Sequence, residues 1–428
     1  MLTDKEQITP YCFGNSPLAK RTVCVITPCS SDHLCKFLEK TSDIDFKIVT
    51  VGGGTIFIRD VIPPTSDTVI ISTEKLKNNP HIEPASMTVS TDSGLKVSDL
   101  SEFLLQYGLE LVVRPFLPNS KTIGGSIAEN TNGYGSFTGG SVGDSLNYVE
   151  LCLSTGEKLS VSKSMVERNI LNLIPGSFGN FGIITKLKIK IRRHPELKYS
   201  IAFLFKRRET PIRILHSCLV NEIRVSTAEI LDSKLISMLD KTTRILPINQ
   251  KYRNILLMQF SGSKSSVAKS VKQVKRIADS MEREYVLKEN ANYLFKFREG
   301  VLTLVRYNLS PSIVLKLQPY SERITELTYL LSSLESELNS PLAFFGDIYN
   351  SPKIVLQAKG DSEEIVAILN TLVSKLTGLG FTPIDVFSLG FKCCPPWMKN
   401  FLNREMLSLY EKLKKVFDPI NRFHCLVF

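Results

Sequence analysis

The spacing of hydrophobic and polar positions changes character along the chain. Short runs rich in β-branched residues predict strands at Arg21–Pro28, Phe46–Val51, Asp67–Ser72 and Met87–Thr91. Ser30–Glu39 predicts a short helix with Leu34, Phe37 and Leu38 inward, and Val97–Tyr107 a second helix ended by Gly108. Strands at Leu146–Ser154 and Leu159–Ser162 flank Thr155-Gly156, which reads as a hairpin. Phe181–Ile191 predicts a further strand. From Lys186 to Arg193 charged and apolar residues alternate, the signature of a strand with one wet face. No zinc finger or aromatic RNA-binding motif accompanies that basic stretch, so it does not read as a nucleic-acid site.

Beyond His194-Pro195, the predicted domain boundary, longer amphipathic helices take over. Strands are predicted at Tyr199–Phe205, Ile255–Phe260, Leu302–Leu309 and Lys353–Ala358. Helices are predicted near Pro211–Val220 and at Ser265–Tyr285, Tyr320–Leu338 and Glu363–Leu379. In the second of these, Val267, Val271, Val274, Ile277 and Met281 form the stripe. Two rounds of strand, strand, helix suggest an α+β arrangement with helices on one face of an antiparallel sheet. Glu405–Val416 is one more amphipathic helix, followed by Asp418-Pro419.

Composition narrows the class. A chain of 428 residues with 43% apolar content has material for two or three packed domains and is not a disordered, collagen-like or disulfide-framework protein. No run approaches the roughly 18 apolar residues of a membrane span, and the first residues lack a basic and apolar leader, so the expected compartment is the cytoplasm. Nine irregularly spaced cysteines without a CxxC pair fit reduced thiols, and give no basis for an iron–sulfur cluster or structural zinc. The net charge of +11 permits an anionic ligand, nucleic acid or an acidic membrane surface.

Glycine is the unevenly placed residue: sixteen of the 24 fall between Gly52 and Gly182. Three segments there could carry ligand chemistry. Val51-Gly52-Gly53-Gly54-Thr55 directly follows a predicted strand, and its three glycines let backbone N–H groups converge on an anion such as a pyrophosphate. It is neither a GxGxxG fingerprint nor a Walker loop. A strained turn of no function is the other reading. Pro118–Gly135 mixes glycine with small hydroxyl and amide residues, while Ile123, Ile127 and Ala128 threaded through it argue for a buried polar loop rather than a linker. Gly176–Thr185 is glycine-rich, aromatic and apolar, suited either to a flat ring or to a tight turn into the next strand.

The ordered set of motifs resembles the FAD-linked oxidases of the vanillyl-alcohol-oxidase and p-cresol-methylhydroxylase (PCMH) type, among them D-lactate dehydrogenases and glycolate oxidase flavin subunits. The matching pieces begin at Val23–Asp32 and Val51–Thr55, and continue through Ser93–Leu100, Thr122–Asn130 and Tyr148–Glu157. They end with Gly179–Thr185 and, far downstream, Leu413–Pro419. The resemblance covers roughly 20–192 and 405–421.

It implies an α+β fold: an FAD-binding domain over 1–195, a substrate or cap domain over 196–398 and a C-terminal helix over 399–428 returning to the first. By position, Gly52, Gly53, Gly54 and Thr55 would hold the FAD pyrophosphate. Thr122, Gly125, Ser126 and Asn130 would line the isoalloxazine and ribityl side. Gly179, Ile183 and Ile184 would meet the adenine end. Val51, Pro118, Gly124, Gly133 and Gly182 flank these positions. Neither His33 nor His81 belongs to the phosphate loop, so non-covalent FAD is expected. The segment Phe344–Asn350 lacks the histidines of the metal-binding HxHxGDGN stretch of D-lactate dehydrogenases, so no catalytic metal is expected.

Oxidising a 2-hydroxy acid needs a base for the hydroxyl proton and a cation for the carboxylate. The candidates are His424, Arg306, Lys392 and Tyr349, with Arg306 gripping the carboxylate; the Cys393-Cys394 pair reads as idle thiols. The implied activity is FAD-dependent oxidation of a small anionic 2-hydroxy acid such as glycolate or D-lactate, by hydride transfer to flavin N5. Electrons would pass to an iron–sulfur partner or a quinone, in an oligomer or hetero-complex, with peripheral membrane attachment through such a partner left open. Alkyl-glycerone-phosphate synthase, sugar or lactone oxidase, and a non-catalytic flavin-binding subunit are the alternatives.

Overall fold

The computed structural model describes residues 1–12, 22–55, 67–164, 168–243, 251–282, 284–289, 291–308, 312–318, 326–338, 341–347, 349–350, 352–357, 362–378, 380–389 and 404–423. The backbone divides into two units. The first holds Met1–Thr131, Ser141–His194 and Lys392–Phe428; the second holds Asn132–Gly140 and Pro195–Phe391. Among the described residues no helix is long and apolar enough to cross a membrane.

The first unit opens with helix α1 (Lys5–Cys12) and a parallel three-stranded sheet of β1 (Thr22–Ile26), β2 (Lys47–Val51) and β3 (Thr68–Ser72), in the order β1-β3-β2. Between β1 and β2 runs α2 (Ser31–Lys40), begun by Ser30, whose hydroxyl accepts the His33 N–H at 3.2 Å. Leu34 and Leu38 turn inward onto Ile48 and Ile71.

An antiparallel sheet follows, built from β4 (His81–Glu83), β5 (Thr88–Asp92), β6 (Leu109–Leu111), β7 (Leu146–Cys152), β8 (Lys158–Ser162) and β9 (Ile183–Arg193). Its order is β8-β7-β9-β5-β4, with β6 also paired to β9. β9 fulfils the alternation read from the sequence: Leu187, Ile189 and Ile191 are buried while Lys186 and Lys190 are exposed. The β7–β8 hairpin turns at Gly156, whose φ of +90° suits glycine. Helices α3 (Val97–Gln106) and α4 (Ile123–Glu129) pack Leu100, Leu104, Ile123 and Ile127 onto this sheet's core.

The helix Arg404–Phe417 belongs to the first unit and lays Phe417 against Phe181, ring centroids 5.1 Å apart. Phe423 then bridges Ile48 in parallel register, and the Ile48 N–H donates to Arg422 O at 2.7 Å. The Arg422 guanidinium donates to Leu38 O, Thr41 O and Ile44 O and lies over the Phe46 ring. Asp418 caps the turn by accepting the Arg422 and Phe423 N–H groups and the Lys414 ammonium.

The second unit carries, among the described residues, one eight-stranded antiparallel sheet. Its first half runs β10 (Leu197–Phe205), α5 (Thr210–Val220), β11 (Thr227–Leu231), α6 (Ser233–Thr243), β12 (Asn254–Gly262), α7 (Lys264–Met281) and β13 (Val286–Glu289). After α8 (Asn292–Asn308), the second half runs β14 (Ser312–Gln318), α9 (Leu327–Leu338), β15 (Leu342–Gly346), β16 (Lys353–Gln357), α10 (Ser362–Gly378) and β17 (Thr382–Leu389). The strand order is β13-β10-β12-β11-β15-β16-β14-β17. Each half therefore has its strands in the order 4-1-3-2 of a split βαβ motif, and the halves join through their second strands, β11 and β15. The repeat is strand, helix, strand, strand, helix, strand rather than the shorter round expected.

Two expectations are corrected. Leu302–Leu309, read as a strand, lies in α8 through Asn308. Its β-branched residues mask a helical stripe in which Leu294, Arg298, Val301 and Val305 are all buried. The Pro118–Gly135 stretch, read as a loop, contains α4. The expected helix from Tyr320 is described only from Leu327.

Candidate functional site

β2 delivers Val51 opposite Ser72 of β3, and the chain then turns into Gly52–Gly54. This turn lies against the segment entering α4. A Cβ on Gly53 would sit 1.7 Å from the Ser120 carbonyl oxygen, and one on Gly52 would sit 2.4 Å from Thr122 Oγ1. Only a main chain without side chains packs this closely.

Two glycines and a serine make Ile123–Glu129 a weak helix former, so its ends are held from outside. Thr122 is the N-cap and accepts the Gly125 N–H at 3.2 Å. The Ile123 and Gly124 N–H groups donate to Leu95 O and Ser93 O at 2.9 and 2.8 Å, and Ser126 Oγ donates to Thr122 O at 2.8 Å. Asn130 ends the helix in the left-handed region, φ +52°, its Oδ1 accepting the Gly143 N–H at 3.1 Å. The third glycine segment docks at that end: the Gly176 and Phe178 N–H groups donate to Ile127 O and Ala128 O.

The second glycine segment thus contains α4, and the other two dock against it, the first at its start and the third at its finish. Pro118 O accepts the Ser98 N–H, which fixes the approach to Thr122. Gly182, at φ +147°, passes within reach of Leu151 and Cys152. Ile183 and Ile184 head β9 with their side chains packed in the two cores, Ile183 against Leu34 and Cys152 and Ile184 within the larger cluster. Thr55 closes the described part of the first loop, and Gly133 lies in the loop assigned to the second unit.

These residues fit an elongated polar ligand. Among the described residues the Gly53 and Gly54 amides have no acceptor. The hydroxyls of Thr50, Ser72, Ser93 and Thr131 are buried without a hydrogen-bond partner. Buried donors left unmatched are unfavourable by roughly 1–3 kcal/mol each, and a ligand rich in phosphate and hydroxyl oxygens relieves that.

Residues 22–162 match the family model described as the FAD binding domain. The chain is 22% identical over 413 residues to the glycolate oxidase subunit GlcD of Bacillus subtilis, covering 93% of this chain and 87% of that one. Among solved structures, p-cresol methylhydroxylase with substrate bound superposes with a TM-score of 0.76 at 12% identity, over 99% of this chain and 92% of that one. Alkyldihydroxyacetonephosphate synthase superposes with a TM-score of 0.70 at 17% identity, over 93% and 76%.

The protein is a flavoprotein whose cofactor is FAD. Its α+β fold is shared with p-cresol methylhydroxylase and alkyldihydroxyacetonephosphate synthase.

Of the four catalytic candidates, Lys392 and His424 lie outside the described residues, as do Cys393 and Cys394. Arg306 sits in the last turns of α8, not in a strand. Tyr349 belongs to a buried polar group in the second unit. Its Oη is buried without a partner, its ring meets Phe137 edge-on at 6.1 Å, and burial pushes its phenol pKa upward.

The rest of that group escaped the sequence reading. Glu229 on β11 is fully buried and pairs with Arg298 of α8, Oε2 to Nε 2.5 Å, while Glu229 Oε1 has no partner. Arg298 lies over the Phe345 ring, 4.9 Å from its centroid. Asp347 follows β15 and is 1% exposed; burial, then the Glu229 charge, push its pKa up to about 7. The one signal available was Gly346-Asp347 with Asn350, the acidic remnant of the stretch whose missing histidines drew attention.

Proposed function

We propose that this flavoprotein oxidises a small 2-hydroxy acid of the glycolate or D-lactate kind and passes the electrons to a partner protein or a quinone. The observation that carries this reading is the extent of the likeness. The alignment with the glycolate oxidase subunit runs through both units rather than the FAD binding domain alone. That relative's being named a subunit supports a hetero-complex.

FAD, held without a covalent link, supplies the hydride acceptor at N5. The chain's part is to bind and orient the acid and to take its hydroxyl proton. Gly52–Thr55 present main-chain N–H groups to the pyrophosphate. Thr122, Gly125, Ser126 and Asn130 serve the ring and ribityl side, and Gly179, Ile183 and Ile184 the adenine end. Arg306 is the cation for the substrate carboxylate. Tyr349, with its pKa raised by burial, keeps its proton at neutral pH and serves as a hydrogen-bond donor. The base is then His424 or Lys392.

The test is anaerobic titration of the yellow protein with glycolate, D- and L-lactate, sugars, lactones and an alkyl-glycerone phosphate. Bleaching by a hydroxy acid alone supports the reading, and acid precipitation should release the flavin into the supernatant. Bleaching by a sugar or lactone only, or by none of the panel, overturns it.

A further inference from the structure

The Asn132–Gly140 loop segment, which holds the two-residue strand Gly133–Tyr134 and the helical turn Ser136–Gly139, is tied to the second unit's sheet and its flanks at four places. The Gly135 N–H donates to Thr227 Oγ1 at 2.8 Å and the Phe137 N–H to Ser226 O at 3.2 Å. Asn350 Nδ2 donates to Ser136 O at 3.2 Å, and Ser136 Oγ lies 3.3 Å from Asp347 Oδ2.

A serine hydroxyl has one hydrogen. Ser136 Oγ is 2.8 Å from Gly133 O, a carbonyl that can only accept, so its hydrogen is committed there. The longer approach to Asp347 then needs a donor on the aspartate side. Asp347 Oδ1 accepts the Tyr349 and Asn350 N–H groups at 3.1 and 3.2 Å, and Oδ2 accepts Asn350 Nδ2 at 2.8 Å, which leaves Oδ2 to carry a proton toward Ser136.

The surroundings agree. Asp347 forms no ion pair among the described residues. Facing it are Glu229 of β11, an anion whose own cation is Arg298 of α8, and the Tyr349 phenol, with the Cys218 thiol of α5 beyond it. Burial and a neighbouring negative charge both favour the uncharged acid.

We propose that Asp347 is a positioning residue, held as a neutral carboxylic acid that donates its proton to Ser136 Oγ and so clasps the Asn132–Gly140 loop to β15. When the loop opens, Asp347 returns to the ordinary carboxylate range of about 4, whereas closed it titrates at about 7. The closed form binds the extra proton, so acid favours closure. The contribution is complete below about pH 4, falls as pH rises and is lost by about pH 7.

Hydrogen exchange of the full-length protein, corrected for intrinsic rates and read on peptides spanning 132–140, tests this without substrate and therefore apart from the hydroxy-acid reading. Peptides from β10 report global opening. Protection should fall between pH 4.5 and 7 by up to about tenfold per pH unit and then level off. Asp347→Asn, whose amide donates to Ser136 but no longer accepts Asn350 Nδ2, should lower protection of the loop and make it independent of pH. Asp347→Ala should leave it unprotected throughout. Should the alanine variant not fold, Glu229→Gln decides the matter: removing the opposing charge moves the levelling-off to lower pH. A flat wild-type profile, an unaltered slope in Asp347→Asn, or an unmoved levelling-off in Glu229→Gln overturns the proposal.

Discussion

Between Gly52 and Gly182 the first unit assembles its polar surface from main-chain groups and small hydroxyls, whereas the second unit draws charged side chains into its core. Around α4 the close approaches are backbone on backbone, as at Gly53 and Ser120, and the unmatched groups are amides and hydroxyls. Around β11 and β15 they are Glu229, Arg298 and Asp347, all at most 4% exposed. Main-chain cradles suit a long cofactor that is gripped along its length and is itself unchanging. Buried ionisable groups suit a place where one proton has to be present or absent. The difference teaches which change is damaging at each place: a gained side chain at the glycine turn beside α4, a lost charge at the cluster of β11 and β15.

Substitutions can break that contrast, and the largest effect belongs to the second unit. Arg298→Met strands Glu229 as an unpaired buried anion and should destabilise by about 3–5 kcal/mol in urea unfolding. Adding Glu229→Gln to it should restore more than half of the loss; a single variant losing under about 1 kcal/mol would show the pair to be solvated. In the first unit, Gly53→Ala drives a methyl into the Ser120 carbonyl. The loops must part, and flavin affinity should fall about a hundredfold, equivalent to about 3 kcal/mol, read from FAD titration of the apoprotein. Undiminished affinity would show that the turn does not face the cofactor. Thr122→Val removes the N-cap of α4 and should lower stability by about 1 kcal/mol, seen as a drop in Tm. The control is Lys190→Glu on the wet face of β9, which should change stability by no more than about 0.5 kcal/mol.

The first unit was the more readable from sequence because its signals are local. β-branched runs ending in glycine or proline, Ser30 ahead of α2 and Gly156 between two alternating runs all act within a few residues. α4 was hidden since Gly124 and Gly125 oppose helix formation, and what stabilises it comes from Ser93 and Leu95, about thirty residues upstream. In the second unit α8 was misread because Val301, Leu302, Val305 and Tyr307 are good strand residues, and only the burial of Val301 and Val305 in one stripe with Leu294 and Arg298 decides for a helix. The partners at its centre are remote: Glu229 and Arg298 are 69 positions apart, and Ser136 and Asp347 are 211 apart. No window of sequence contains both members of either pair, so the chemistry of that cluster became visible only with the sheet order that joins β11 to β15.

The closing of the first unit by Phe417 and Phe423 also sets an order of events on the ribosome. Residues 404–423 leave the exit tunnel after all of the second unit, so the nascent first unit waits with the Ile48 edge and the Phe181 ring uncovered while its neighbour is already complete. During that interval the uncovered Ile48 strand edge offers unpaired backbone groups to other chains.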